Sequence, residues 1–217
     1  PEHRKKDLRI QGPPLGEMWH ALFGPIGFLL ITAFMISFGI TNFEGIFPYY
    51  TQERFGYTPQ TIGLIMTVVG LVSAIAQGLL TGIATRAFGD SNVIKASLIG
   101  SAIGFLLMLS ATSLTTILLT TAFFVLSNAM LRPATSALIS KRATSGQGIA
   151  MGLNNAYMSL GRVLGPIWAG NVIDINLSLP FLSGAVIMFL GFIASLIYLH
   201  KEEVPAGATS PETSSAD

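Results

Sequence analysis

GLNNAYMSLGRVLGPIWAG, residues 152–170, decides how this chain is read. The stretch lies inside an apolar run long enough to cross a bilayer, yet it carries Arg162 and, four residues later, Pro166. A water-soluble helix would tolerate the arginine and reject the proline. A helix in lipid does the reverse, so the setting must be established before either residue is interpreted.

Composition supplies that setting. The chain has 217 residues, of which 51% are hydrophobic and 11% charged. Soluble domains carry about 25% charged residues. A net charge of +1 gives no electrostatic case for a nucleic-acid partner, and the absence of cysteine excludes disulfides, thiolate zinc sites and thiol catalysis. Six stretches reach the roughly 20 apolar residues a spanning helix needs: 24–49, 60–84, 93–112, 115–139, 147–173 and 178–199. They are near-continuous rather than alternating, which selects helices over barrel strands. The fold class expected is therefore an all-α membrane protein with six transmembrane helices, residues 24–199. Residues 1–23 read as a cytoplasmic linker and interfacial segment with Trp19 and His20 as its anchor, and 200–217 as a polar, disordered cytoplasmic tail. The chain starts at Pro1 within a charged stretch, which reads as part of a longer polypeptide.

Basic residues set the orientation. Both termini in the cytoplasm put Arg4, Lys5, Lys6, Arg9, Arg86, Lys95, Lys141, Arg142 and Lys201 on that side, and only Arg54 on the other.

Small residues recur at spacings that let helix backbones approach: Gly78 with Gly82, Gly100 with Gly104, Gly148 with Gly152 and Gly161 with Gly165. These read as packing surfaces of a tight bundle.

Within 152–170, Gly152 is followed after eight residues by Gly161, then by Gly165-Pro166, then by Ala169-Gly170. This resembles the G-x8-G-x3-G-P-x2-G-G signature of antiporters in the major facilitator superfamily, with Ala169 replacing one closing glycine. The preceding LRPATSALISKRATSGQGIAMG is similar to the last helices of the carboxy-terminal half of drug:proton antiporters. GIATRAFGDSNVIK is a degenerate likeness of the family's cytoplasmic loop signature: Gly82 and Gly89 match, while Arg86 stands at the aspartate position and Ala87 at the arginine position. The resemblance implies the carboxy-terminal six-helix half of such a transporter, with an amino-terminal six-helix half as partner. It implies exchange of a small-molecule substrate for protons in a bacterial plasma membrane, without a cofactor. The bend-motif residues Gly152, Gly161, Gly165, Pro166 and Gly170 would form a bent, close-packed helix that seals or rocks one bundle against the other; a purely structural kink is the alternative.

Ionisable groups inside spans are costly and face a cavity or a partner. Ser37, Thr41, Glu44 and Pro48 share one helix face, and Glu44 is suited to hold a proton or attract a cation. Hydration near the outer mouth is the bland alternative. Asn128, Arg132, Ser136 and Ser140 recur every four residues, with Arg132 roughly 13 Å from the boundary by helical rise. Asn155, Ser159, Arg162 and Pro166 form a similar stripe, and Arg162 falls near mid-membrane. Both arginines serve either as structural links between helices or as holders of a cavity-facing network whose pairing changes with protonation or substrate; backbone carbonyls freed by Pro166, a carboxylate of the missing half and Glu44 are the partners open to Arg162. Thr41, Gln77, Asn128, Asn155 and Ser159 are the candidate cavity-lining residues. Phe34, Met35, Phe38, Phe43, Phe47 and Met158 offer a greasy wall, though packing is their more ordinary use. His3, His20 and His200 are too dispersed for a metal site, and no hydrolase or nucleotide motif occurs, so catalysis is not expected.

The expectation is half of a secondary active transporter, exporting hydrophobic or cationic drugs against a proton gradient. A metabolite importer or exporter, and a non-transporting scaffold or sensor with the same fold, are the alternatives.

Overall fold

The computed structural model describes residues 22–24, 26–143 and 146–199. Six long helices follow in order: α1 Gly27–Phe55, α2 Pro59–Phe88, α3 Asp90–Ser110, α4 Leu114–Arg142, α5 Gln147–Ile173 and α6 Leu179–Tyr198. Five are long and apolar enough to cross a membrane; α5 is as long, but its amides, hydroxyls and Arg162 keep it below the same apolarity. The expected linker, with Trp19 and His20, and the expected tail fall outside the described residues, apart from Leu22, Phe23 and Leu199 at their edges.

Local chemistry explains the breaks. Gly56 ends α1 in the left-handed region (φ 67°), where a side chain is disfavoured. Thr58 caps α2 ahead of Pro59 at the first helical position. Ser113 and Thr116 form a reciprocal capping box at the start of α4. Gly89, at φ 78° and ψ 153°, makes the tight corner between α2 and α3.

The first span is longer than the sequence suggested. The apolar run ends near 49, yet α1 continues past Pro48 and six residues beyond 49 to Phe55. Proline removes one ladder bond, and lipid offers the chain no alternative hydrogen-bond partner, so the helix continues. Arg54 consequently sits on the last turn, where it donates to the Leu109 carbonyl (2.8 Å) and lies over the rings of Tyr50 and Phe55.

Helix α1 is the centre of the bundle. It packs most extensively on α5 and also touches α4 and α6, while α3 is clamped between α4 and α6. A chain of rings fills the interior: Phe43 meets Phe124 (5.1 Å between centroids), Phe124 meets Phe105 (4.4 Å), and Phe181 bridges Phe105 and Tyr50. Phe38, Phe43, Phe47 and Met158 are buried, so most of the expected greasy wall is core. Helix α2 is different: 17% of its most apolar stretch is buried, against 61% for α1.

The glycine pairs divide accordingly. A methyl at Gly104 would stand 2.8 Å from the Phe124 backbone, and one at Gly100 2.6 Å from Ser127 Oγ, so α3 and α4 meet through them. Gly161 and Gly165 serve α5 against α1 in the same way. Gly78, Gly148 and Gly152 face open space, and Gly82 meets only the Arg86 side chain. That half of the expected packing is corrected: the pairs on α2 and on the first turns of α5 touch no other helix of this bundle.

Candidate functional site

A concave cavity of about 470 Å³ opens between α1, α2, α4 and α5. From α1 come Ile36, Ile40, Thr41, Phe43 and Glu44; from α2 Met66, Val69, Gly70, Ser73 and Gln77; from α4 Val125, Asn128, Ala129 and Arg132; from α5 Arg162. Residues spaced by three or four on α1, α2 and α4 supply most of the lining, the signature of one face per helix.

Glu44, Arg132 and Arg162 therefore meet around one space although they lie on three helices. All three side chains are exposed to it. Glu44 and Arg132 attract one another across the cavity, and Arg132 and Arg162 repel. Among the described residues no carboxylate oxygen comes within 4.0 Å of either guanidinium, so these charges are left available rather than locked in a pair.

Prolines sharpen the polarity of this space. Pro48, Pro133 and Pro166 lie inside α1, α4 and α5. A proline has no N–H for the carbonyl four residues earlier, which in these helices belongs to Glu44, Ala129 and Arg162. All three are lining residues. Each helix thus loses one ladder bond beside the cavity.

The polar partners are equally specific. Thr41 Oγ1 donates to the Ser37 carbonyl (2.7 Å) and reaches the Gly161 carbonyl (3.3 Å), tying the cavity wall to the α1–α5 contact. Gln77 donates to Ser73 Oγ (2.8 Å) one turn earlier. It sits in a π-helical turn, Ala76–Leu80, whose extra residue is accommodated by Thr81: both its N–H and its hydroxyl (2.8 Å) reach the Ala76 carbonyl. Such single π turns recur at functional sites because they re-aim side chains without breaking a helix. Asn128 is 4% exposed, and its Nδ2 has no partner among the described residues.

Asn155 and Ser159 lie elsewhere. Both are exposed on α5 and outside the cavity lining, Ser159 donating to the Asn155 carbonyl. The neighbouring Asn154 is the buried amide, and it donates to Ser136 Oγ on α4 (3.3 Å). Pro166 packs toward Gly45 of α1, and α5 runs uninterrupted through it. A methyl at Gly161 would stand 2.5 Å from the Phe34 carbonyl; one at Gly165 would overlap Thr41 Oγ1. Gly152 and Gly170 face open space. Sequence reasoning also passed over the ion pair between Lys141 and buried Asp90 (2.6 Å), which joins the end of α4 to the start of α3. Asp90 looks like a solvated loop residue until the corner at Gly89 turns it inward.

Comparison with known proteins accords with this architecture. The profile of the Major Facilitator Superfamily matches residues 29–216. Multidrug resistance protein 2 of Bacillus subtilis (strain 168) is 32% identical over 179 residues, 82% of this chain and 45% of that protein. Multidrug resistance protein 1 of the same organism is 32% identical over 199 residues, covering 91% and 51%. Quinolone resistance protein NorA of Staphylococcus aureus is 27% identical over 82% of this chain and 45% of its own. The chain spans about half the length of the curated relatives it matches. Among solved structures, the human organic anion transporter MFSD10 (TETRAN) superposes with a TM-score of 0.70 at 22% identity, over 85% of this chain and 42% of that one. The peptide transporter POT in complex with sulfate gives 0.68 at 20% identity, over 80% and 37%. The chain belongs to the Major Facilitator Superfamily, and its fold is a six-helix half of that all-α, multi-pass membrane architecture.

Proposed function

We propose that this member of the superfamily forms the carboxy-terminal half of a proton-coupled exporter of hydrophobic or cationic drugs, working by alternating access. The observation that carries the proposal is the convergence of Glu44, Arg132 and Arg162 on one cavity from three helices. The multidrug relatives support the choice of substrate class.

Glu44 is the acid of the cavity. Ionised, it leaves the two arginines in excess by one charge; protonated, by two. A proton and a cationic substrate both cancel the Glu44 charge, so occupancy by one disfavours the other. That competition is what antiport requires. Once Glu44 is protonated, Arg132 and Arg162 face a bound cation with no carboxylate to offset them, which favours its release.

The second half of the transporter is proposed to dock on the faces this bundle leaves apolar. On α2 these carry Leu64, Leu71, Leu79 and Ile83; on α5, Leu160, Val163, Leu164 and Ile167. The open-facing Gly78 and Gly152 lie on the same two helices and give that partner close approach. Both termini are placed in the cytoplasm, with 1–23 as linker and 200–217 as tail, on the asymmetry of basic residues.

The arginine excess favours one second reading. Two guanidiniums facing one carboxylate suit an anionic or zwitterionic metabolite, with the arginines as its anchors.

The test is uptake into inverted vesicles holding this chain joined to an amino-terminal half, energised with a proton gradient. A fluorescent cationic dye should accumulate in a protonophore-sensitive way, and Glu44→Gln should abolish accumulation while leaving the protein folded by size-exclusion chromatography. Wild-type accumulation by that variant removes Glu44 from the mechanism. Accumulation of anionic but not cationic probes transfers the assignment to the second reading.

A further inference from the structure

A second groove lies apart from the cavity, at the end of the bundle where α1 begins and α4 and α6 finish. It has a volume of about 610 Å³ and runs between Phe28, Ile31 and Met35 of α1 and Leu190, Ala194 and Tyr198 of α6. Met35 lies seven positions after Phe28, so the groove is about 10 Å deep by helical rise. Its mouth is framed by Phe28 and Tyr198, stacked at 5.2 Å. Among the described residues Arg142, half-buried, is the one cation on its lining, and no carboxylate shares that lining. Among the described residues Arg142 has neither a hydrogen bond nor an ion pair.

We infer that this groove holds an anionic phospholipid, its phosphate on Arg142 and the start of one acyl chain along the α1–α6 cleft. The composition of the site selects this occupant. A guanidinium without a carboxylate partner at a membrane boundary matches a phosphodiester, and an aromatic and aliphatic cleft running from it into the membrane matches a hydrocarbon tail. A free anion would leave the cleft unfilled. The chain's own segment 200–217 offers Glu202 and Glu203 to the arginine, but Val204 is its one large aliphatic side chain, too little for such a cleft. In the sequence before α1, Arg4, Lys5, Lys6 and Arg9 outnumber Glu2, Asp7 and Glu17, a positive balance that favours an anionic surface at this end. The site does not depend on the transport reading.

Native mass spectrometry of the purified full chain in mild detergent tests the assignment, with phosphatidylglycerol and phosphatidylcholine of matched chain length as probes. Phosphatidylglycerol adducts should exceed phosphatidylcholine adducts. Arg142→Gln should reduce them about fivefold, the scale of one basic residue at a charged surface, and Arg142→Lys should keep most of them. Ala194→Phe, which fills the cleft and leaves the arginine, should also reduce them. Each variant is compared at equal folded fraction by chromatography. Equal retention of the two lipids, or wild-type retention by Arg142→Gln, overturns the inference. So does displacement by inorganic phosphate at concentrations matching the lipid, which marks an anion site without an acyl groove. Adducts that appear only after residues 200–217 are removed make that segment the occupant and overturn it too.

Discussion

Gly165 of α5 lies directly over Thr41 of α1: a Cβ on the glycine would overlap the threonine Oγ1 and stand 2.8 Å from the Phe38 carbonyl. Thr41 in turn lines the cavity and reaches the Gly161 carbonyl. The same contact therefore brings α5 onto α1 and fixes a polar wall of the site.

Gly165→Ala should push α5 away from α1 and destabilise the bundle by about 1–3 kcal/mol, the usual range for overpacking. Thermal melting in detergent checks this. Gly152→Ala and Gly170→Ala, made where nothing lies within 4 Å, should change this chain's melting by no more than about 0.5 kcal/mol. A Gly165→Ala variant that melts with the wild type would show that α5 shifts freely.

Gly89 should resist substitution for a backbone reason. At φ 78° and ψ 153° an L side chain is strained by about 1–3 kcal/mol. Gly89→Ala should lower melting by that amount, whereas Gly56→Asn, in the ordinary left-handed region at φ 67°, should be nearly neutral. Equal effects from both would refute the distinction.

Asp90 is 4% exposed and Lys141 63% at the side chain, so the pair is asymmetric. Lys141→Met leaves a buried carboxylate without this cation and should cost about 1–3 kcal/mol. Asp90→Asn should cost less, and the double variant should recover part of the Lys141→Met loss. Strict additivity in that cycle would mean that the two charges act independently.

Arg162 should tolerate lysine better than alanine. Lysine keeps the cavity's charge and loses the planar fork, while alanine loses both. Uptake by the joined transporter should fall about tenfold or more for Arg162→Ala and less for Arg162→Lys, with similar folded yields. Wild-type uptake by both variants would exclude Arg162 from the transport site. A lost folded fraction in both would assign it to helix linkage.

Apolar run lengths alone are enough to read the chain as a six-helix membrane bundle. The cause is general: lipid accepts no unpaired backbone, so every long apolar run must become a helix, and run lengths count the spans. The sequence also marked Glu44, Arg132 and Arg162, since a charge inside an apolar run is visible without coordinates. Which helix faces meet is a matter of packing. Helical periodicity groups Asn155, Ser159 and Arg162 on one stripe, but the docking of α5 through Gly161 and Gly165 leaves only Arg162 on the cavity and buries Asn154 against α4. The same is true of the glycine pairs, identical in spacing and separated only by what lies opposite them. Spacing fixes a residue's angle on its own helix, whereas the neighbour it meets depends on how every other helix has packed.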